Sequence, residues 1–407
     1  MFESRAGVGV GSRIPKIGRN LVPGVAGEIM SKKRVHIVCF DQPYPPNYGG
    51  SIDMYFKLKA LVDLGAEVVL HVFLYDGKTA SADLDALCVK TYYYERRRFK
   101  NPFLGELPYV VITRDDERLL YRLRRDKYPI LFEGLHSTFF LNHFDLKQRV
   151  KVVRAHNVEH HYYSALEEAE GSFFKKYFFR IESERLKAWE PVLKHAQAIA
   201  AISPLETQYF EEIYGKTSYV PAFHPNSDVL SAEGRGEFVL YHGNLAVPEN
   251  NRAALYLVKE VFPQVSHPCV IAGNHPSAEL QQAVARYDHV ELKANIGADE
   301  VLDLVSSAHV NALVTFQSTG IKLKLLNALH RGRHCVVNGP MIDDTGLEDL
   351  CSIGREAVDL VRAIDECWNL SFGQQEIELR KERMGQQFDN RANALILAEL
   401  LGLELGD

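Results

Sequence analysis

Short continuous apolar runs, each ending in glycine or a polar residue and followed by a helical pattern, constrain this chain more than any other feature. VHIVCF (35–40), EVVLHVFLY (67–75), YPILFEG (128–134), VKVVRAH (150–156) and AIAAIS (198–203) have this form. Such runs suit strands buried on both faces of a parallel sheet. Between them lie helical patterns such as IDMYFKLKALVDLG, stopped by Gly65, and the stretch from about Tyr162 to Lys194. A break follows at YVPAFHPNSDVLSAEGRGE (219–237), dense in proline, serine, glycine and charge. The pattern then restarts. FVLYHGN (238–244), CVIAGN (269–274), VELKANI, VNALVTF and HCVVN (334–338) read as strands, alternating with NNRAALYLVKEVF, ADEVLDLVSSA and IKLKLLNALHRG as helices. Two such blocks joined by one linker predict an α/β protein with two Rossmann-like domains facing across a cleft. The expected domains are 31–220 and 237–375, with 376–407 a helix that packs back on the body.

Composition narrows the function classes. The chain is 46% hydrophobic and 25% charged over 407 residues, which excludes wholesale disorder. No run approaches the roughly 18–20 apolar residues of a bilayer span. With 47 basic and 53 acidic residues the formal charge is −6, so no general electrostatic case exists for nucleic acid as a partner. Six cysteines are scattered without a C-x-x-C pair, which argues against a zinc ribbon or disulfide scaffold and suits a reducing cytosol. Residues 1–30 are glycine- and arginine-rich and lack the apolar core of a secretory signal. They are expected to be a disordered extension, or sequence upstream of a start at Met30.

Several residues carry candidate chemistry. In STGIKLKLLNALHRGRHCVVNG, Thr319 and Gly320 are expected at a helix N-terminus, whose free amides and dipole favour an anion. Lys322 and Lys324 fall in its first turn, where cations oppose the dipole unless a nucleotide diphosphate compensates them. The alternative is a solvated basic turn. In PYPPNYGGS, Gly49 and Gly50 let a backbone approach a ligand closely, or make a plain tight turn. His156 ends a strand beside Asn157 and Glu159, placed for polar contacts or for a structural role. His156, His160 and His161 make no convincing metal set, because Glu159 is misplaced for H-E-x-x-H and no third ligand suggests itself.

Three segments occur in order and at sensible spacing: PYPPNYGGSIDMYFKLKALVDLGAEV, FVLYHGNLAVPENNRAALYLV and STGIKLKLLNALHRGRHCVVNG. Together they resemble GT-B glycosyltransferases, most of all glycosyltransferase family 4 (the group 1 glycosyl transferases), over about residues 34–400. The resemblance implies a nucleoside-diphosphate sugar as co-substrate, with no further cofactor and no metal. It implies donor binding at Gly49, Gly50, Gly243, Asn244, Gly273, Thr319, Gly320 and Asn327. His156 would touch the donor near the reacting centre, and Lys322 and Lys324 would grip the diphosphate and stabilise charge on the leaving group. The first domain would hold a glycan or lipid-linked acceptor, with Glu133 and His136 on that side, and the anomeric configuration would be retained.

This sequence departs from the family at four places. Thr319 and Asn327 stand where two glutamates are frequent, and Asn244 and Glu249–Asn250 stand where arginine and lysine are typical. Those departures motivate two alternatives: an inactive GT-B-like binding protein or partner subunit, and a sugar-nucleotide 2-epimerase. Finally, RRRFKNPF (96–103) and FFKKYFFRIESERLKAWEPVLKHA (173–196) mix aromatic and basic residues. They suit either peripheral contact with the inner face of the cytoplasmic membrane, or aromatics in a core with solvated charges.

Overall fold

Among the described residues, thirteen strands build two separate parallel sheets in the structure, a computed structural model. It describes residues 31–406 apart from 76, 99–101, 104 and 317–321, so the extension 1–30 and the candidates Thr319 and Gly320 lie outside the described residues. The first sheet contains β1 (Arg34–Cys39), β2 (Glu67–Leu74), β3 (Lys90–Glu95), β4 (Ile130–Glu133), β5 (Lys151–Ala155), β6 (Ala198–Ala201) and β7 (Thr217–Tyr219). Their order is β3-β2-β1-β4-β5-β6-β7. The second contains β8 (Val239–His242), β9 (Cys269–Gly273), β10 (Val290–Ala294), β11 (Val310–Leu313), β12 (His334–Val337) and β13 (Ser352–Ile353), in the order β10-β9-β8-β11-β12-β13. In each sheet the chain runs outward from one central strand and then restarts on its other side. The reversal leaves a crevice at the carboxyl ends of β1 and β4, and another at those of β8 and β11.

Eight helices shape the region between the sheets: α1 (Gly49–Asp63), α2 (Glu159–Ala169), α3 (Phe173–Trp189), α4 (Pro204–Tyr214), α5 (Pro248–Tyr256), α6 (Leu323–Arg331), α7 (Gln374–Gln387) and α8 (Asn390–Leu401). The central strands are buried on both faces. Val35, Ile37, Val68 and Leu70 join one apolar layer of the first sheet, and Val38, Phe132 and Val153 join the other. The second sheet is layered in the same way. Burial on both sides removes the alternation that a half-wet strand would show.

The structure corrects the sequence expectations in two places. The helix expected from Tyr162 to Lys194 is two helices, α2 and α3, followed by a 3₁₀ segment at Glu190–His195, with Gly171 and Ser172 in the break. The C-terminal stretch is likewise two helices, broken at Phe388 and Asp389, where the Asp389 side chain accepts from the Ala392 amide to start α8. Helix α8 packs on the first half of the chain: Ala394, Leu397, Ala398 and Leu401 belong to the same apolar layer as Met54 and Leu58 of α1.

Candidate active site

A fully buried ion network lies beneath the carboxyl edge of the first sheet. Asp53 and Lys57, one turn apart on α1, meet Glu133 at the end of β4 and Arg154 on β5. The Lys57 ammonium donates to Asp53 Oδ2 and Glu133 Oε2, each at 2.8 Å. The Arg154 guanidinium donates to both Asp53 oxygens, at 2.8 and 3.2 Å, and also to the carbonyls of Val220 and Pro221. The Phe223 amide donates to Asp53 Oδ1 at 3.0 Å. Burial opposes ionisation of both carboxyls, but Arg154 and Lys57 hold Asp53 well below the usual carboxylate range, and Lys57 and His156 lower Glu133. Two acids and two bases thus cancel inside the protein.

His156 stands on this network. Its Nε2 lies 3.2 Å from Glu133 Oε2 and 3.7 Å from Asp53 Oδ2. A hydrogen on Nε2 that points at a carboxylate leaves Nδ1 as the ring atom available to a substrate. Phe40, just past β1, wedges between two histidines: its ring is 5.6 Å from that of His156 and 5.1 Å from that of His136. The buried Arg114 fixes this wedge by donating twice to the Phe40 carbonyl, at 2.7 and 2.9 Å. Gly134 has φ +66°, and a Cβ there would come within 3.1 Å of His136 Nδ1, so the strand end must be glycine for His136 to stay in place. The loop that leads into Gly49 and Gly50, the first residues of α1, is held by Asp41, which accepts from Lys78 at 2.7 and 2.8 Å and from the Tyr48 hydroxyl at 2.8 Å.

The carboxyl edge of the second sheet is built differently. Gly243 follows β8 and Gly273 ends β9, and their backbones approach so closely that a Cβ on Gly273 would lie 1.9 Å from the Gly243 carbonyl oxygen. Asn244 shapes the turn after β8, its side chain accepting from the Ala246 amide at 3.1 Å. Lys322 caps α6 and Lys324 is its second residue. The Lys324 ammonium donates to Asn250 Oδ1 at 2.7 Å and lies 5.1 Å from the centre of the Tyr241 ring, so these partners are neutral. Burial pushes both lysines down to about 8, against the fields of Glu206 and Glu249 for Lys322 and of Glu249 for Lys324. His242 is pushed down to about 3 by burial and by Lys324. The Glu249 carboxylate is engaged by the Thr315 hydroxyl at 2.7 Å and the Phe316 amide at 2.6 Å.

The two edges meet. A Cβ on Gly49 would be 3.7 Å from Leu323 of α6, Ile52 of α1 packs on the apolar layer of the second sheet, and α2 touches α5. A cavity of ≈ 80 Å³ opens between the halves beside Lys322, lined among others by Ser203, Tyr219, Leu326 and Asp343. Of the candidates read from sequence, His156, Glu133, His136, Gly49 and Gly50 gather on the first edge. Gly243, Asn244, Gly273, Lys322 and Lys324 gather on the second. Asn327 lies farther along α6, and its side-chain oxygen accepts from Asn226 at 2.9 Å. The sequence reading missed Asp53, Lys57 and Arg154. Their signal was charge placed on otherwise apolar faces, including the i, i+4 pair on α1.

Asp53, Glu133 and His156 present oxygen and nitrogen atoms within 4.8 Å of one another, the kind of set that holds a metal ion. Lys57 already fills the cation's place, 2.8 Å from both carboxylates, so the group does not fit a metal.

Two doubly wound sheets that face each other across their carboxyl edges define the GT-B architecture. Residues 236–369 match the model of the family described as Glycosyl transferases group 1. Over 333 residues the chain is 27% identical to an uncharacterised 44.6 kDa protein of the cps region of Klebsiella pneumoniae, covering 77% of this chain and 84% of that one. Sucrose-phosphate synthase from Thermosynechococcus elongatus shares the fold with TM-score 0.65 and 15% identity, over 90% of this chain and 98% of that one. HepE of Anabaena, solved with UDP and glucose, does so with TM-score 0.62 and 12% identity, over 91% and 99%. Trehalose-phosphate synthase from Burkholderia xenovorans, solved with glucose 6-phosphate, gives 0.59 and 10% over the same shares.

Proposed function

We propose that the protein moves a sugar from a nucleoside-diphosphate sugar, held on the second half, to a glycan or lipid-linked acceptor held on the first. The observation that carries this is the pair Lys322 and Lys324, half-buried at the start of α6 and facing the crevice of the second sheet. Cations held with a lowered proton affinity gain most when an anion arrives, and a diphosphate supplies that anion. On this reading the lysines neutralise the charge that grows on the leaving diphosphate, so no metal is needed. His156, pinned by Glu133 and Asp53, offers Nδ1 to the donor near the reacting carbon. Contact between the two edges excludes water from the transfer. The resemblance in sequence supports retention of anomeric configuration, and the cps-region relative supports a polysaccharide or lipid-linked acceptor.

Thermal shifts with UDP, GDP, ADP and dTDP and their hexose esters, in EDTA, test the donor site. The expected result is a rise in melting temperature with one nucleotide, lost in Lys322→Ala/Lys324→Ala. Absence of any shift would sink the reading and favour an inactive partner subunit. Transfer followed by proton NMR of the new anomeric centre then decides retention.

The acceptor could lie at a bilayer. Phe173 and Phe174, each 78% exposed at the start of α3, stand beside Tyr177, Lys175 and Arg180. No helix among the described residues is long and apolar enough to cross a membrane. We propose that the protein works in the cytoplasm and touches the inner face of the membrane through this helix tip. Phe173→Ser/Phe174→Ser should abolish co-sedimentation with anionic liposomes and leave folding unchanged.

A further inference from the structure

Glu159 and His136 form a polar gap at the first edge of the cleft that nothing so far has used. Glu159 is the first residue of α2 and is 2% exposed. Its Oε1 lies 3.7 Å from His136 Nδ1, too far for a hydrogen bond. Its Oε2 and His136 Nδ1 are both buried without a hydrogen-bond partner in the structure. Buried polar atoms are nearly always satisfied, so two orphans on neighbouring side chains mark a place where something else binds. The His136 side chain is 16% exposed, which leaves a way in. One hydroxyl oxygen about 2.8 Å from His136 Nδ1 and from Glu159 Oε1 would bridge the 3.7 Å between them.

The chemistry of the gap selects its occupant. Burial, reinforced by Glu206 and Glu190, raises the Glu159 carboxyl to about 8, although a hydrogen bond from Asn157 opposes this. Burial, then Arg114, keeps His136 far below its ordinary value and therefore neutral. An uncharged carboxyl and an uncharged imidazole each donate and accept, as a sugar hydroxyl does, and neither suits an ion. Position points to the transferred sugar rather than the acceptor. Glu159 is electrostatically coupled to Glu206 of α4, which is coupled to Lys322 across the cleft. No Asp or Glu occurs from Thr315 to Arg331, Glu249 is engaged by Thr315 and Phe316, and Asp343 lines the cavity beside Lys322. A sugar bound beside those lysines meets acids both there and, at Glu159, on the opposite half.

We propose that Glu159, paired with His136, reads a hydroxyl of the donor's sugar from the first half of the chain and sets donor-sugar selectivity. This rests on the nucleotide-sugar reading of the cleft. Calorimetric titrations of wild type and Glu159→Leu, which keeps the volume and removes the polar atoms, would use UDP, GDP, ADP and dTDP and their glucose, galactose, mannose and N-acetylglucosamine esters. In wild type the preferred sugar ester should bind at least tenfold tighter than its nucleoside diphosphate. In Glu159→Leu that sugar increment should fall at least tenfold, while the bare diphosphate keeps its affinity within twofold and shows that the variant is folded. A monodeoxy donor lacking the hydroxyl read here should cost wild type the same increment and leave Glu159→Leu unaffected. An increment unchanged in Glu159→Leu overturns the proposal. If wild type binds bare diphosphate but gains nothing from any sugar, this inference fails and the nucleotide site stands. If it binds neither, the nucleotide-sugar reading itself fails.

Discussion

The two carboxyl edges face the same cleft yet solve opposite electrostatic problems. On the first edge, Asp53, Glu133, Lys57 and Arg154 are fully buried and neutralise one another. On the second, Lys324 has neutral partners, and the acid on α5, Glu249, is engaged by the loop after β11. The difference teaches what each half is for. A network whose charges cancel is a rigid mount that holds His156 in one orientation. A lysine pair whose proton affinity burial has lowered gains most when an anion docks. Rigidity sits on one side of the cleft and affinity on the other.

The strongest way to break this contrast is Asp53→Ala. It leaves Lys57 and Arg154 buried without their carboxylate and should cost about 3–5 kcal/mol of stability, read from denaturant midpoints. Loss of less than about 1 kcal/mol would show that the network is not the mount described. Next come the glycines. Gly273→Ala drives a Cβ into a backbone carbonyl and should cost about 1–3 kcal/mol. Gly50→Ala meets only the ring atoms of Tyr48 and Phe40, at 3.0 and 3.1 Å, and should cost less. Equal costs would mean that the second edge is no more rigidly shaped by backbone than the first. The smallest effect comes from pH, where both edges gain stability as pH rises but in separate windows. Asp53 and Glu133 titrate lower in the folded state, so their stabilisation is present above the ordinary carboxylate range near 4 and is lost on acidification. Lys322 and Lys324, near 8, bind fewer protons folded than unfolded between about 8 and 10.4, so stability rises with pH there. Diphosphate affinity should fall by about tenfold per lysine between pH 7 and pH 9, as the charge is lost. Flat affinity over that range would remove the lysines from the site.

Most of the fold was legible because burial on both faces writes itself as continuous apolar runs. The three strands the sequence hid are β3, β7 and β13, and all three are sheet edges. KTYYYE has a charged end and partly exposed tyrosines, TSY has three residues and SI has two, so none carries a run to read. The site divides in the same way. Glycines and lysines at strand and helix ends announce themselves through local sequence. Glu159 and Asp53 take their meaning from residues 23 and 101 positions away, His136 and Arg154, which only the folded topology brings together.

The return of α8 to the first half has a mechanical consequence. The chain crosses between the halves twice, once at Val220–Phe223, where Arg154 and Asp53 grip the backbone, and again at Phe388–Asn390, where His224 and Asn390 bond across the crossing. A body joined at one point can swivel freely. A body joined at two can only swing about the line between them, as a door does on two hinges, so each closure of the cleft returns the lysines to the same place opposite His156.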